Sequence, residues 1–333
     1  MRIALVRPDR IGDCVIGSVA VHDLRAALPD AEILWVVRKP MEPLFAGKSF
    51  PAKLLAYDES DGPRALAAQL EKFRPDAVVL LGSHPLTDAA AMMCGAPVRI
   101  GYKSTLKGAL TEVSGLDKGD GRMHEAEYAR DLLRRLPGVR TAHLAELRPC
   151  VYPVSHDEVW RAELGDAALA RGFFVVHPGA HGAKARLPQA LWKEVAASLA
   201  ARTGFVPVVI GDAPAATSEG WGDVPEALDL RGKLPLGATA RMLAAAKLCL
   251  SRDSGPAHVA AAVGCPTVCV FLENTPKMGP VRWTPAGVSV RTVVPSETPR
   301  WYEKLFFGLY RRRALGAIRA GDIGAAADAL LGL

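Results

Sequence analysis

The stretch Ser251–Phe271, SRDSGPAHVAAAVGCPTVCVF, decides the fold of this chain. Its pattern is a strand end, a tight turn, an alanine-rich helix, a second turn and an apolar strand, as in a parallel βαβ unit. The first turn holds Asp253, Ser254 and Gly255, and Pro256 suits the first helical turn because it has no N–H to lose there. Bare backbone amides at a helix N-terminus favour a negative charge. The stretch therefore predicts an anionic ligand at this turn.

The same alternation of strand and helix signals runs along the rest of the chain. In the first half it predicts short apolar strands at Arg2–Val6, Glu32–Val37, Lys53–Tyr57, Asp76–Leu81 and Val98–Tyr102. A Pro-rich break near residues 137–155 precedes a second series, which begins with the strand Phe173–Gly179. Repeated βα units indicate a parallel sheet with helices on both faces. The sequence therefore predicts an α/β fold of two successive Rossmann-like halves.

Composition limits the function classes. The chain has 333 residues, enough for two domains, and its formal charge of +6 is too mild to indicate nucleic-acid binding. That charge suits anionic small ligands or an anionic membrane surface. The six cysteines form no CxxC pair, which predicts reduced, buried thiols. Because neither a signal peptide nor an apolar run of transmembrane length is present, we expect a cytoplasmic protein, at most peripheral on the membrane.

Candidate functional residues lie in turns that follow predicted strands, where open α/β sheets bind ligands. Asp13 follows Gly12 at a helix start, where it either caps the helix or serves as a general base. His177 ends a strand and is either a core histidine or part of a site. Lys184 and Arg186 lie in a glycine-rich loop, as surface charges or as cations for phosphate.

Several site classes are not supported. No other His or Cys lies at metal-ligand spacing from His177, so a metal cage is not expected. The chain has no GxxxxGK[ST] segment, and no clean GxGxxG opens the first helix. The sequence therefore supports neither a P-loop NTPase nor an ordinary dinucleotide dehydrogenase.

Nearly the whole chain resembles glycosyltransferase family 9, the ADP-heptose:lipopolysaccharide heptosyltransferases. The similar segments are Val6–Pro29 (VRPDRIGDCVIGSVAVHDLRAALP), Gly95–Tyr102, His124–Leu133, His177–Pro188 and Asp229–Phe271, of which the last is the most specific. The resemblance implies a GT-B fold, in which two Rossmann-like domains face a central cleft and the C-terminal helix crosses back to the first. The implied parts are an acceptor-binding domain 1–155, a nucleotide-sugar-binding domain 156–300, and C-terminal helices 301–333 on the first domain.

The resemblance also implies an activity and a set of residues. The expected reaction is the inverting transfer of a heptose or similar sugar from an ADP-sugar to a hydroxyl of a lipopolysaccharide-type glycan, with Asp13 as general base. The diphosphate would meet the Ser254 and Gly255 backbone, and Asp253 the donor sugar. No metal or other cofactor is expected. The implied donor-binding residues are His177, Gly179, Lys184, Arg186, Asp212, Glu219, Met242, Asp253, Ser254, Gly255 and His258, and the acceptor-binding ones are Arg10, Gly12 and Lys39.

Departures from the family pattern leave some assignments open. The family's Lys-x-Trp-Pro occurs here as KARLP, so either Lys184 or Arg186 is the phosphate cation, and either Asp212 or Glu219 holds the ribose. The alternatives are a GT-B transferase or epimerase for another nucleotide sugar, such as a UDP-sugar, and a non-catalytic nucleotide-binding relative. The acceptor is expected to be a glycolipid and the protein a monomer. The segment Trp301–Arg313 either meets an anionic inner membrane or packs on the first domain.

Overall fold

The chain divides into two compact units, Met1–Val154 and Ser155–Leu333. The computed structural model describes residues 1–104, 106–139, 147–179, 187–213, 220–296, 313–314 and 316–333. The boundary between the units lies at the end of the Pro-rich break that the sequence shows near residues 137–155. Each unit contains one six-stranded sheet.

The sheet of the first unit is entirely parallel, in the order β3-β2-β1-β4-β5-β6. This is the doubly wound order of Rossmann-like domains, whose topological switch point lies between β1 and β4. The strands are β1 (Arg2–Arg7), β2 (Glu32–Arg38), β3 (Lys53–Tyr57), β4 (Ala77–Leu80), β5 (Val98–Gly101) and β6 (Glu112–Val113). The α-helices are α1 (Ile11–Gly17), α2 (Val19–Ala27), α3 (Gly62–Phe73), α4 (Pro85–Met93) and α5 (Glu125–Leu133), and short 3₁₀ helices span Lys39–Leu44 and Glu59–Asp61.

The first helical segment differs from the pattern in the sequence, which indicates one helix over Val15–Leu28. The helix begins earlier, at Ile11, and is divided at Ser18 into α1 and α2. The Ser18 hydroxyl donates to the Val15 carbonyl at 2.6 Å and accepts from the Cys150 amide at 2.8 Å. A serine that bonds locally to the backbone competes with regular helix, which accounts for the break at this position.

The second unit repeats the topology of the first. Its parallel sheet has the order β12-β11-β10-β7-β8-β9, so its switch point lies between β7 and β10. The strands are β7 (Phe173–His177), β8 (Val206–Val209), β9 (Leu228–Asp229), β10 (Cys249–Arg252), β11 (Thr267–Val270) and β12 (Val290–Val293). The helices are α6 (Asp157–Arg171), α7 (Gln189–Thr203), α8 (Leu236–Ala245), α9 (Gly255–Ala262), α10 (Pro280–Trp283) and α11 (Ala320–Leu331). The predicted α/β class with parallel sheets is thereby confirmed.

The C-terminal helix α11 packs within the second unit. It contacts α7, β11 and β12, and Ile323 and Ala327 are fully buried in the core of that unit. The apolar side of α11 therefore contributes to the core around the second sheet, and the packing of the C-terminal helices 301–333 on the first domain stays a prediction. Residues 297–312 and Leu315 lie outside the described residues.

Burial follows the sequence pattern in both sheets. Strands β4, β7 and β11 are buried at every position, as expected of parallel strands covered on both faces. All six cysteine side chains are buried, as predicted. Within the described ranges, every helix is too short or too polar to cross a bilayer.

Candidate functional site

At the switch point of the second sheet, the ends of β7 and β10 bring two predicted turns together. His177, the last residue of β7, lies opposite Ser251 of β10 in the register of the sheet. Its Nδ1 atom is 3.1 Å from the Ser251 hydroxyl and 3.1 Å from the Ser254 hydroxyl. The structure therefore joins the HPG turn to the SRDSG turn through one buried imidazole.

The His177 imidazole is neutral at physiological pH. Burial, together with the nearby Arg252 guanidinium, lowers its pKa to about 4 against the opposite influence of Asp212. Asp212 lies just after β8, the strand next to β7. The second switch point is therefore built around an uncharged ring and two hydroxyl groups.

Helix α9 begins directly above this cluster. Ser254 is its N-cap in an extended conformation, but the Ser254 side chain accepts no hydrogen bond from the helix. Its hydroxyl instead donates to the Arg252 carbonyl at 3.0 Å. The second helical residue, Pro256, has no N–H. The first-turn amides are therefore not capped by Ser254, which is the arrangement that binds anions at helix N-termini.

A glycine allows the two turns to approach closely. Gly179 adopts φ +135°, a backbone conformation that side chains rarely permit. A Cβ atom at this position would also lie 2.9 Å from the Arg252 Cδ atom. Gly179 is thus required by the local packing, whatever its contact with a ligand.

The other predicted donor residues differ in accessibility. Asp253 is about a quarter exposed, and its Oδ1 atom is 3.6 Å from Nε2 of the buried His258. Met242 is fully buried in α8, and its predicted role in donor binding stays a prediction. Lys184, Arg186 and Glu219 lie outside the described residues.

At the switch point of the first sheet, the last residue of β1 carries a buried guanidinium. The Arg7 side chain is only 3% exposed, and its Nη2 atom is 3.0 Å from Asp13 Oδ1 and 3.2 Å from Glu125 Oε1. Its Nε atom is 3.0 Å from Asp9 Oδ2, and its Nη1 atom donates to the Leu81 carbonyl, beyond the end of β4. Arg7 therefore ties three carboxylates to the switch point.

These contacts set the charge states of the group. Burial alone would lower the pKa of Arg7, but Asp9, Glu125 and Asp13 together raise it above its ordinary value. Burial raises the pKa of Asp9, against the opposing influence of Arg7. A buried cation of this kind is tolerated because it is paired and hydrogen-bonded.

Asp13 does not cap helix α1. Arg10 is the N-cap residue, and Asp13 lies in the first turn with its carboxylate directed at Arg7. The interpretation of Asp13 as an N-cap is therefore wrong, since the ion pair takes the carboxylate away from the helix amides. The Asp13 side chain remains 26% exposed, so it is accessible to a substrate.

A pocket of about 290 Å³ lies at the carboxyl ends of β2 and β3. Its lining residues are Arg38, Lys39, Pro40, Tyr57, Asp58 and Glu59. Arg38 Nη2 donates to the Asp9 carbonyl at 3.0 Å, so this pocket adjoins the Arg7 group. Among the residues that the structure describes, the buried Arg38 Nε and Tyr57 hydroxyl have no hydrogen-bond partner. Such polar atoms are usually satisfied in proteins, by water or by a ligand.

Sequence reasoning missed Arg7, Glu125 and Arg38. It also missed Lys118, whose ammonium contacts the Glu125 carboxylate. Arg7 and Glu125 lie inside the segments Val6–Pro29 and His124–Leu133, which show the family pattern, but nothing local indicates that they meet across the fold. Lys118 lies in a loop without a recognisable pattern. Apart from their presence in the two segments, no signal in a single sequence would have identified this group.

Three expectations stay predictions. Among the described residues, no cluster of three or more His, Cys, Asp or Glu side chains could hold a metal ion. A metal-free reaction and a monomeric state are nevertheless untested. The membrane-facing role of Trp301–Arg313 falls almost entirely outside the described residues.

The whole chain shares its fold with solved glycosyltransferase structures. A glycosyltransferase family 9 protein from Veillonella parvula superposes with a TM-score of 0.77 at 20% identity, over 99% of this chain and 97% of that one. The ADP-heptose lipopolysaccharide heptosyltransferase II of E. coli gives a TM-score of 0.75 at 22% identity, over 99% and 98% of the two chains. The fold is therefore GT-B, the two-unit architecture of nucleotide-sugar-dependent transferases.

The family itself is shown by sequence. The model of glycosyltransferase family 9 (heptosyltransferase) matches residues 64–300, and the chain belongs to this family. Lipopolysaccharide heptosyltransferase 1 of Pseudomonas aeruginosa is 25% identical over 294 residues, which are 83% of this chain and 80% of that protein. The protein is accordingly a glycosyltransferase, as the resemblance implied.

Proposed function

We propose that the protein transfers a heptose from ADP-heptose to a hydroxyl of a lipopolysaccharide-type acceptor, with inversion at the anomeric carbon. The observation that carries this proposal is the accessible Asp13 carboxylate at the first switch point, in a chain that belongs to a heptosyltransferase family. The similar E. coli proteins include a heptosyltransferase solved with ADP-2-deoxy-2-fluoro heptose, whose TM-score is 0.65 at 18% identity, over 98% of each chain.

In the proposed reaction, Asp13 removes the proton from the acceptor hydroxyl. The resulting oxygen attacks the anomeric carbon of the donor as its bond to the ADP oxygen breaks, and ADP leaves with the electron pair. One carboxylate positioned at a hydroxyl is sufficient for general base catalysis. The charge that develops on the departing diphosphate is stabilised by the N-terminal amides of α9 and by Lys184 or Arg186, so no metal ion is needed.

The donor binds to the second unit in this proposal. The Ser254 and Gly255 backbone receives the diphosphate, while Asp253 receives the hydroxyls of the transferred sugar. Asp212 or Glu219 holds the ribose. The uncharged His177 cluster beneath the turn supports this arrangement because it presents no negative charge to the phosphates.

The identity of the donor is tested by thermal shift and by ADP release. We expect ADP-heptose to raise the melting temperature, since a ligand at 100 times its Kd adds about 2.7 kcal/mol of stability by mass action. We also expect ADP release in the presence of lipopolysaccharide that lacks heptose, with and without EDTA. Stabilisation by a UDP-sugar alone would favour the other nucleotide-sugar enzymes. Binding of ADP-heptose without any turnover would favour a non-catalytic relative.

The acceptor binds to the first unit in this proposal, at Arg10, Gly12 and Lys39 and in the pocket that adjoins the Arg7 group. The buried Tyr57 hydroxyl and the Arg38 Nε atom there have hydrogen-bonding capacity for the hydroxyl or acidic groups of a glycan.

Arg38→Ala is expected to raise the KM for heptose-free lipopolysaccharide by roughly 10- to 100-fold, the loss typical of a hydrogen bond to a charged group. The KM for ADP-heptose should not change. Arg64→Ala, which removes an exposed arginine on α3, is the matched control. An unchanged acceptor KM in Arg38→Ala would place the acceptor elsewhere.

A further inference from the structure

The Arg7 group extends beyond the three carboxylates to a second cation. Glu125 at the start of α5 is only 2% exposed, and the Oε1 atom that faces Arg7 also contacts the Lys118 ammonium. Lys118 lies over two aromatic rings, 5.1 Å from the centroid of Tyr102 and 5.4 Å from that of Tyr128. Glu125 is therefore held between two cations that come from distant parts of the chain.

The chain of contacts leads from Lys118 through Glu125 and Arg7 to Asp13. Arg7 and Glu125 are buried. Asp13 lies in the first turn of α1, just after the carboxyl end of β1. The Arg7 stem passes close to Gly17 of α1, and its guanidinium is held by the Leu81 carbonyl and the Asp9 carboxylate. The guanidinium therefore has a defined place from which to bind the Asp13 Oδ1 atom.

Stability alone is a weak reason for such an arrangement. Replacing buried ion pairs by apolar side chains of similar volume is often neutral or stabilising. A general base, in contrast, needs a fixed orientation and a balanced potential. A lone arginine in contact with the base would favour its charged form and make it a poorer proton acceptor.

We propose that Arg7, Glu125 and Lys118 form a positioning network that orients the Asp13 carboxylate and sets the electrostatic potential at it. Arg7 binds one carboxylate oxygen and leaves the other for the acceptor hydroxyl. Glu125 offsets the charge of Arg7, and Lys118 partly offsets that of Glu125. The inference rests on the proposed role of Asp13 as the base, and none of the three residues contacts the reacting atoms in it.

The charges around Asp13 determine in which direction each substitution should change the electrostatic potential at its carboxylate. Asp13 interacts with Arg7 of β1, with Asp9 of the following turn and with Cys14 of α1. These three groups interact in turn with Glu125 of α5, with Lys118 of the loop before it and with Arg38 of β2. Removing the charge of Glu125 makes the potential at Asp13 more positive and favours the carboxylate. Removing the charge of Lys118 has the opposite effect. The two substitutions should therefore move the titration of Asp13 in opposite directions.

The test uses the full chain with ¹³C-labelled aspartate, in which the Asp13 carboxyl resonance is assigned by its absence from Asp13→Asn. We expect Glu125→Gln to move the titration midpoint of this resonance to lower pH, and Lys118→Gln to move it to higher pH. The acidic limb of kcat/KM for ADP release should move in the same two directions. Glu112→Gln, which removes a partly exposed carboxylate paired with Arg135 in the same unit, should move neither.

The opposite signs separate this proposal from a purely structural role, which would lower stability without moving the titration. Lys118→Gln decides the matter even if Glu125→Gln does not fold, because it leaves the buried pair of Glu125 and Arg7 intact. Shifts of the same sign, or no shift in Lys118→Gln, would overturn the proposal. If Asp13→Asn kept full turnover while the resonance shifted as expected, the assignment of the base would fail and the network would stand.

Discussion

Asp13→Asn is expected to lower kcat by roughly 10²- to 10⁴-fold, the usual loss when a general base is removed. Asparagine has the same shape as aspartate, and its amide oxygen can still accept the hydrogen bond that Arg7 Nη2 makes to Asp13 Oδ1 at 3.0 Å. It cannot take a proton from the acceptor hydroxyl. The measurement is ADP release from ADP-heptose with heptose-free lipopolysaccharide.

Two controls make the result specific. The affinity of Asp13→Asn for ADP-heptose, measured by calorimetry, should equal that of the wild type, since the donor is proposed to bind the second unit. Asp166→Asn, which makes the same change at an exposed position of α6, should keep its turnover. Near wild-type kcat in Asp13→Asn would show that this carboxylate serves only as a partner of Arg7.

The turn after β10 is expected to show two separable losses. Gly255→Val places a branched side chain at the first residue of α9, where the diphosphate is proposed to lie against the backbone, so the affinity for both ADP and ADP-heptose should fall. Asp253→Ala should weaken ADP-heptose or its turnover and leave ADP affinity unchanged or slightly improved, because a carboxylate near the phosphates repels them. Calorimetric titration of both ligands into both variants measures the two effects.

The assignment of Asp253 and Gly255 depends on comparing the affinities for ADP and for ADP-heptose in each variant. Asp223→Ala, which removes an exposed carboxylate paired with Lys193 in the same unit, should bind both ligands like the wild type. Equal losses of ADP and ADP-heptose affinity in a folded Asp253→Ala variant would assign this carboxylate to the nucleotide half of the donor. Unchanged ADP affinity in Gly255→Val would remove the phosphate from the start of α9.

Much of the fold follows from local sequence patterns. The apolar strands of the parallel sheets are buried on both faces, so they appear as continuous hydrophobic runs such as Ala77–Leu80 and Phe173–His177. Strands β6 and β12 were not predicted, because Glu112–Val113 is only a residue pair and Val290–Val293 contains polar residues that tolerate exposure at a sheet edge. The packing of α11 could not be predicted, because it depends on long-range contacts of its apolar side in the folded chain.

The candidate site was predictable where its residues share a turn. Asp253, Ser254 and Gly255 follow one strand and precede one helix, so their place at the sheet edge follows from chain order. The partners of Asp13 were not predictable, since Arg7 and Glu125 lie 118 positions apart in the sequence. Likewise, the burial of Met242 could not be inferred from an alanine-rich helix in which apolar residues occur on more than one side.

The two units have one strand order but different charged and polar groups at their switch points. In the first, three carboxylates surround a single guanidinium, and in the second an uncharged imidazole lies with two hydroxyls beneath a helix N-terminus. At the second, a phosphate would meet backbone dipoles rather than carboxylates. Under the proposed assignment of acceptor and donor, two sheets of the same strand order serve different ligands through the side chains at the carboxyl ends of their strands.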